Sequence, residues 1–198
     1  MGLDTVHDIQ IAYRKVIDCM SRPGHIGNIY EEADRVDLDI DFYNSTLVLM
    51  LMLLDAEVNF KVFSKNEERI TKFVSQLTYA KPQTVEKASF VFVLRDAEEI
   101  DIKEAFEKAY EGDLIDPHRS ATIIVEADGI TNDRDLILSG PGIKDRNYIA
   151  IDLPSCWIDK RRLKNIEYPL GVDTIIVDKN SKLICLPRTT QISKQVVE

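Results

Sequence analysis

The stretch ASFVFVLRDAEEIDIKEAFEKAYEGDLIDPHRSATIIV, residues 88 to 125, decides the fold class. Its two ends, Ala88 to Leu94 and Ala121 to Val125, are short runs rich in β-branched and aromatic residues, the composition of buried strands. Between them, Asp101 to Tyr110 repeats its apolar residues at the helical period. Strand, helix, strand with nearly continuous apolar strands is the signature of a crossover unit in a sheet covered on both faces.

The same order holds toward the N-terminus. The alternation of Val58, Phe60 and Val62 predicts a short strand, and Ser64 with Glu67 has the spacing of a capping box. Ile70, Phe73, Val74 and Leu77 then form the buried stripe of a helix. A helix capped by Asn44 or Ser45 and running through Leu54 is apolar all round, as for an element enclosed by the core. From Val6 to Met20 the apolar residues Ile9, Ala12, Tyr13, Val16, Ile17 and Met20 recur at helical spacing, and Pro23 and Gly24 of the SRPG segment, Ser21 to Gly24, end this first helix.

Toward the C-terminus lie strand candidates at Leu136 to Leu138 and Tyr148 to Ile151, then a helix from Ser155 to Lys164. Strands at Thr174 to Val177 and Leu183 to Leu186 are separated by the turn DKNS, which predicts an antiparallel hairpin. Parallel strands need crossovers and a hairpin does not, so the expectation is a three-layer α/β/α fold with a mixed sheet. With 198 residues and no internal repeat or linker, residues 1–198 are expected to form one domain.

Composition narrows the function. A chain with 44% hydrophobic and 30% charged residues has the material for a packed core. A net charge of −9 argues against a sequence-independent grip on nucleic acid or on an anionic membrane. The most apolar run, Leu47 to Leu54, falls far short of the ~20 residues that span a bilayer. Cys19, Cys156 and Cys185 are odd in number and widely spaced, and Met1 to Gln10 carries acidic residues where an export signal would be basic. A reducing cytoplasm is therefore the expected compartment.

Candidate chemistry is sparse. His7, His25 and His118 are scattered, with neither CxxC nor HExxH, so no zinc-site spacing exists, although a metal assembled from distant residues stays open. LSGPGI at 138 to 143 follows a strand candidate, where backbone amides of Ser139, Gly140 and Gly142 can cradle an anion. A tight turn that needs glycine is the simpler alternative. Arg22 in SRPG and Arg188 in PRTT stand beside prolines, where a guanidinium can fork onto an anion, and Thr189 and Thr190 add hydroxyl donors. Equally, each arginine can cap carbonyls or pair with a carboxylate. Lys160, Arg161, Arg162 and Lys164 form a basic helix segment, read either as a solvated face or as a contact for an acidic partner or polyphosphate. Asp55 and Glu57 mark a helix end and turn more simply than an acid/base pair. No residue is assigned a catalytic role.

In combination, YRKVIDCMSRPGHI at 13 to 26, LLDAEV at 53 to 58, GDLIDPHRSATIIV at 112 to 125, LSGPGI at 138 to 143, YPLGVD at 168 to 173 and LPRTT at 186 to 190 resemble the PhnH family, the H subunits of the carbon-phosphorus lyase core complex. The resemblance spans nearly the whole chain. It implies a homodimer that joins the G, I and J subunits and is required for forming ribose 1-phosphonate 5-triphosphate from ATP and a phosphonate, in organophosphonate catabolism. It also implies a fold like the large domain of pyridoxal-phosphate-dependent transferases without the cofactor site, so no cofactor is expected. The family offers no catalytic residue to carry over, and Pro117-His118 departs from its usual Pro-Glu pair. An interaction subunit is the leading reading; an enzyme subunit with its own phosphonate or nucleotide pocket is the alternative. In so acidic a chain, binding an anion needs a local cluster of donors, here the candidates Arg22, Ser139, Gly140, Gly142, Arg188 and Thr189.

Overall fold

A computed structural model describes residues 2–195. The chain runs α1 (His7–Ser21), β1 (Gly27–Asn28), α2 (Tyr30–Ala33), α3 (Asn44–Leu53), β2 (Asn59–Phe63), α4 (Glu67–Thr78), β3 (Lys81–Pro82), β4 (Phe90–Val93) and α5 (Glu99–Lys108). A 3-10 turn at Pro117–Arg119 leads to β5 (Thr122–Ala127), β6 (Ile130–Ser139), β7 (Asn147–Ile151), α6 (Cys156–Lys164), β8 (Asp173–Asp178), β9 (Lys182–Leu186) and β10 (Gln191–Lys194).

The larger sheet has strand order β1-β9-β8-β5-β4-β2-β3. β2, β3, β4, β5 and β8 run parallel, and β9 pairs antiparallel with both β8 and β1. This is the mixed sheet expected from the pattern, with the 174–186 segment as the antiparallel hairpin. Val91–Val93, Ile123–Val125 and Ile175–Val177 are buried, because both faces of these central strands are covered. One face packs against α1, α3 and α4, through residues such as Ala12, Val16, Leu47, Met50, Ile70 and Val74. The other packs against α5 and α6, where Phe106 meets Trp157 with ring centroids 6.1 Å apart.

Three expectations need correction. The second outer layer is not helical throughout: β10-β6-β7 form a separate three-stranded antiparallel sheet, which supplies Ile130, Leu136, Leu138 and Ile149 to the same core as α5 and α6. The 130–135 half of β6 is polar and mostly exposed, so it lacks the apolar run that marks Leu136–Leu138. The Ser64–Glu67 capping box does not form either. Ser64 Oγ instead accepts the Asn66 amide at 3.0 Å and donates to Asp96 Oδ2 at 2.9 Å, tying the ends of β2 and β4 together. The capping box lies at Glu98 and Asp101, so α5 starts ahead of the expected Asp101.

The third correction concerns α3, whose N-cap is Tyr43, without a side-chain cap of its own. Glu126 at the end of β5 supplies one from across the fold. Its buried carboxylate accepts the Tyr43 amide at 2.8 Å, the Arg95 amide at 3.0 Å and the Thr46 hydroxyl. A negative group there also complements the helix dipole. Burial pushes the Glu126 pKa above the ordinary carboxylate value, and the three donors oppose that rise.

Candidate functional site

Three proline-containing turns, 21–24, 139–143 and 187–190, converge at one end of the small sheet. The 139–143 turn is closed by the Ile143 amide on the Gly140 carbonyl at 3.1 Å. Gly140 has φ +129 and Gly142 φ +82. A Cβ on Gly142 would stand 2.6 Å from the Ser21 carbonyl oxygen, and one on Gly140 would stand 2.8 Å from that of Thr189. Glycine is needed here because the turn is wedged between SRPG and PRTT, with positive φ on both residues. The turn therefore stands between the segments that carry the two arginines.

Arg22 lines an open cavity of about 420 Å³ with His25, Gly142, Lys144 and Asn147. Its exposed guanidinium pairs with Asp18 one helical turn back. Arg188 lines a second cavity of about 510 Å³, together with Ser139, Thr189, Thr190, Arg161 and Arg162. Its Nη2 donates to Asp173 Oδ2 at 2.8 Å, and Nη1 to the carbonyls of Pro117 at 2.8 Å and Pro169 at 3.3 Å. Of the sequence-derived candidates, Ser139, Arg188 and Thr189 thus share one cavity. Arg22 and Gly142 belong to the other, and Gly140 packs on Thr189 between them.

The larger cavity owes much of its character to a residue that the sequence places only in a basic helix segment. Arg161 is 2% exposed. It donates from Nε to Thr174 Oγ1 at 3.2 Å, from Nη1 to the Thr190 carbonyl at 2.9 Å, and from Nη2 to the carbonyls of Leu186 at 3.0 Å and Pro187 at 2.7 Å. Desolvation pulls its pKa down to about 10, so it stays charged at neutral pH. The rest of the basic segment is in ion pairs, with only Arg162 well exposed: Lys160 pairs with Glu107, Arg162 with Asp159 at 3.3 Å, and the half-buried Lys164 with Glu111 at 3.4 Å. A helical period around Arg161 that places it level with Trp157 and Ile158 was the available signal, but composition outweighed it.

Other reactive groups are placed structurally. The three histidines are exposed, and among the described residues no group of three or more His, Cys, Asp or Glu side chains is placed to hold a metal. Asp55 Oδ1 accepts the Glu57 amide at 2.8 Å, an ordinary turn. No helix among the described residues is long and apolar enough to cross a membrane. Burial drives the Cys19 thiol up to about 11 from 9.0 and holds Cys185 well above 9.0. Below pH 9 these thiols are protonated in both folded and unfolded chains. Above it the unfolded thiols ionise first, so stability should fall as pH rises from about 9 through about 11, by at most about 1.4 kcal/mol per unit for each thiol. Urea midpoints at pH 8 and 10.5 check this, with a smaller drop expected for Cys19→Ala.

The family model for "Bacterial phosphonate metabolism protein (PhnH)" matches residues 3–193. The chain belongs to the PhnH family. This PhnH-family chain is 27% identical over 194 residues to the alpha-D-ribose 1-methylphosphonate 5-triphosphate synthase subunit PhnH of Rhizobium meliloti (strain 1021), covering 97% of this chain and 94% of that protein. It is also 32% identical over 83 residues to the putative C-P lyase subunit protein HtxG of Stutzerimonas stutzeri, covering 41% and 42% of the two chains. The PhnH match takes in α1, both sheets and the whole arginine-lined cavity.

Proposed function

We propose that this chain is an interaction subunit of the machinery that forms ribose 1-phosphonate 5-triphosphate from ATP and a phosphonate in organophosphonate catabolism. The observation that carries this is similarity over 97% of the chain to a subunit of such a synthase. The surface supports a docking role. Leu114, Ile115, Ile166 and Tyr168 are large, apolar and 70 to 89% exposed. They lie on two segments joined by the Gly171 amide on the Glu111 carbonyl at 2.8 Å and by the Lys164–Glu111 pair. Exposed apolar side chains grouped in this way favour a protein partner.

The same proposal includes a homodimer, partnership with the G, I and J subunits, a cytoplasmic location and one domain over residues 1–198. It also includes a likeness of the sheet to the large domain of pyridoxal-phosphate-dependent transferases without their cofactor, supported by the parallel run β2, β4, β5 and β8. The test is co-purification with the neighbouring subunits, combined with adenine release from ATP and a phosphonate by the chain alone and by the complex. Turnover should require the complex, and light scattering of the chain alone should give twice the monomer mass. Steady turnover by the single chain at the rate of the complex would move the catalytic centre into this protein.

A ligand pocket within this subunit is the second reading. It is favoured by Ser139, Arg188 and Thr189 lining one cavity, where they remain candidates for holding an anion. Arg22 and Gly142 are candidates only for the separate, polar cavity, with Gly140 as the packing contact between them.

A further inference from the structure

The edges of the two sheets differ in how open they are. In the large sheet β1 and β3 have two residues each, and in the small sheet β7 is closed at its centre, where Ile149 is fully buried. β10 pairs with β6 alone, and its Gln191, Ser193 and Lys194 are exposed. The Gln195 amide donates to the Asp135 carbonyl at 2.9 Å, and Gln191 and Ser193 stand at the alternate, bonded positions opposite Ser139 and Ile137. Ile192 and Lys194 therefore turn their N–H and C=O groups away from β6. Among the described residues these groups have no partner beyond the sheet.

This open edge is one wall of a groove whose other wall is α6. A cavity of about 510 Å³ lies between Arg161, Arg162 and Asn165 of the helix and Gln191–Ser193. A second, of about 340 Å³, lies between Trp157 and Ile158 and the end of the strand at Lys194 and Gln195. Ile158 lines both, so they are two halves of one groove. Side chains from both faces of β10 line it, as at the edge of a strand rather than over its face. Its apolar wall is Leu136, Leu153, Trp157 and Ile158 at one end and Ile166 and Leu170 at the other.

The charge of the groove runs against that of the chain. Besides the buried Arg161, it is lined by Arg134, Arg162, Arg188 and Lys194 against one carboxylate, Asp135, in a protein of net charge −9. Asp159 and Asp173 answer Arg162 and Arg188. Lys194 and Arg134, the latter over the Tyr148 ring at 5.0 Å, form no ion pair among the described residues.

We propose that an extended acidic segment of a partner chain adds to β10 as a fourth strand of the small sheet, lying in the groove beside α6. The inference rests on the interaction-subunit reading and gives it a docking mode. Main-chain pairing to Ile192 and Lys194 supplies affinity, and alternate side chains of the segment divide between the apolar wall and the cations of the rim. An unpaired strand edge is a ready template for such addition, and the lysine and arginines select an acidic strand over a neutral or basic one.

The experiment compares the full chain free and assembled with its neighbouring subunits. In the complex the Ile192 and Lys194 amides should exchange at least about tenfold more slowly, while Ser193, already bonded to β6, changes less. Lys194→Pro removes an N–H that bonds nothing within the chain, a place where edge strands accept proline, and should weaken assembly at least about fivefold. Lys194→Glu reverses one exposed charge and should weaken it by a similar factor, about fivefold, with the loss fading in high salt. Melting temperatures equal to wild type would show both variants folded, and Lys194→Glu keeps the test open if proline disturbs the strand. Failure of the wild-type chain to join its neighbours would overturn the interaction-subunit reading and this inference together. Assembly with unchanged exchange at Ile192 and Lys194, or with wild-type affinity for folded Lys194 variants, would overturn this inference alone.

Discussion

Replacing Glu126 with alanine is expected to lower the unfolding free energy by about 3–5 kcal/mol, read as a reduced urea midpoint with an unchanged slope. Its carboxylate is the shared acceptor for the part-buried Tyr43 and Arg95 amides and the buried Thr46 hydroxyl. A buried donor left bare costs about 1–3 kcal/mol, and α3 loses the acceptor that caps its N-terminus. For a chain of this size the same loss moves the melting temperature down by ~10 °C. Glu126→Gln keeps one acceptor oxygen but turns an NH₂ toward a donor, so it should cost about half as much. Alanine within about 0.5 kcal/mol of wild type would mean that water replaces the carboxylate and that Glu126 does not join α3 to the sheet.

The second large effect is at Arg161. Arg161→Met keeps an apolar stem of similar length but removes every donor, leaving the Leu186, Pro187 and Thr190 carbonyls and Thr174 Oγ1 without this partner. A loss of about 3 kcal/mol or more is expected, because these groups are buried behind the β9–β10 connection. Arg161→Lys places one compact donor group where a planar fork spans four acceptors, so it should recover only part of the loss. In the purified chain, hydrogen exchange at residues 188–190 should rise together with the loss of stability, since Arg161 ties the Pro187 and Thr190 carbonyls to α6. Equal stability for the Arg161→Met variant and wild type would show that burying the guanidinium costs as much as its hydrogen bonds return.

The continuous apolar runs of β4, β5 and β8, and the helical stripes of α1, α4 and α5 apart from the exposed Tyr13, Ile17 and Leu77, were legible because burial on both faces of a strand or one face of a helix marks the residues themselves. The segments that escaped were those whose burial is not periodic. The two-residue strands β1 and β3 are too short to carry a pattern, and the first half of β6 is exposed and polar. Caps were misplaced for a related reason. Ser64 has the right spacing for a capping box, but its hydroxyl is drawn to Asp96, a residue 32 positions away.

For the candidate site the division is sharper. The residues themselves determined the acidic balance, the α/β order, the motif set that places the chain among PhnH proteins, and the prolines beside Arg22 and Arg188. Only the tertiary structure decided that the 139–143 turn wedges those arginines into separate cavities. It also placed Arg161 inside the protein while its neighbours Lys160 and Arg162 remain in ion pairs at the surface. The physical reason is that the burial of a charge depends on which acceptors the fold brings to it. The carbonyls that receive Arg161 lie 25 to 29 residues away along the chain, beyond the reach of any local pattern.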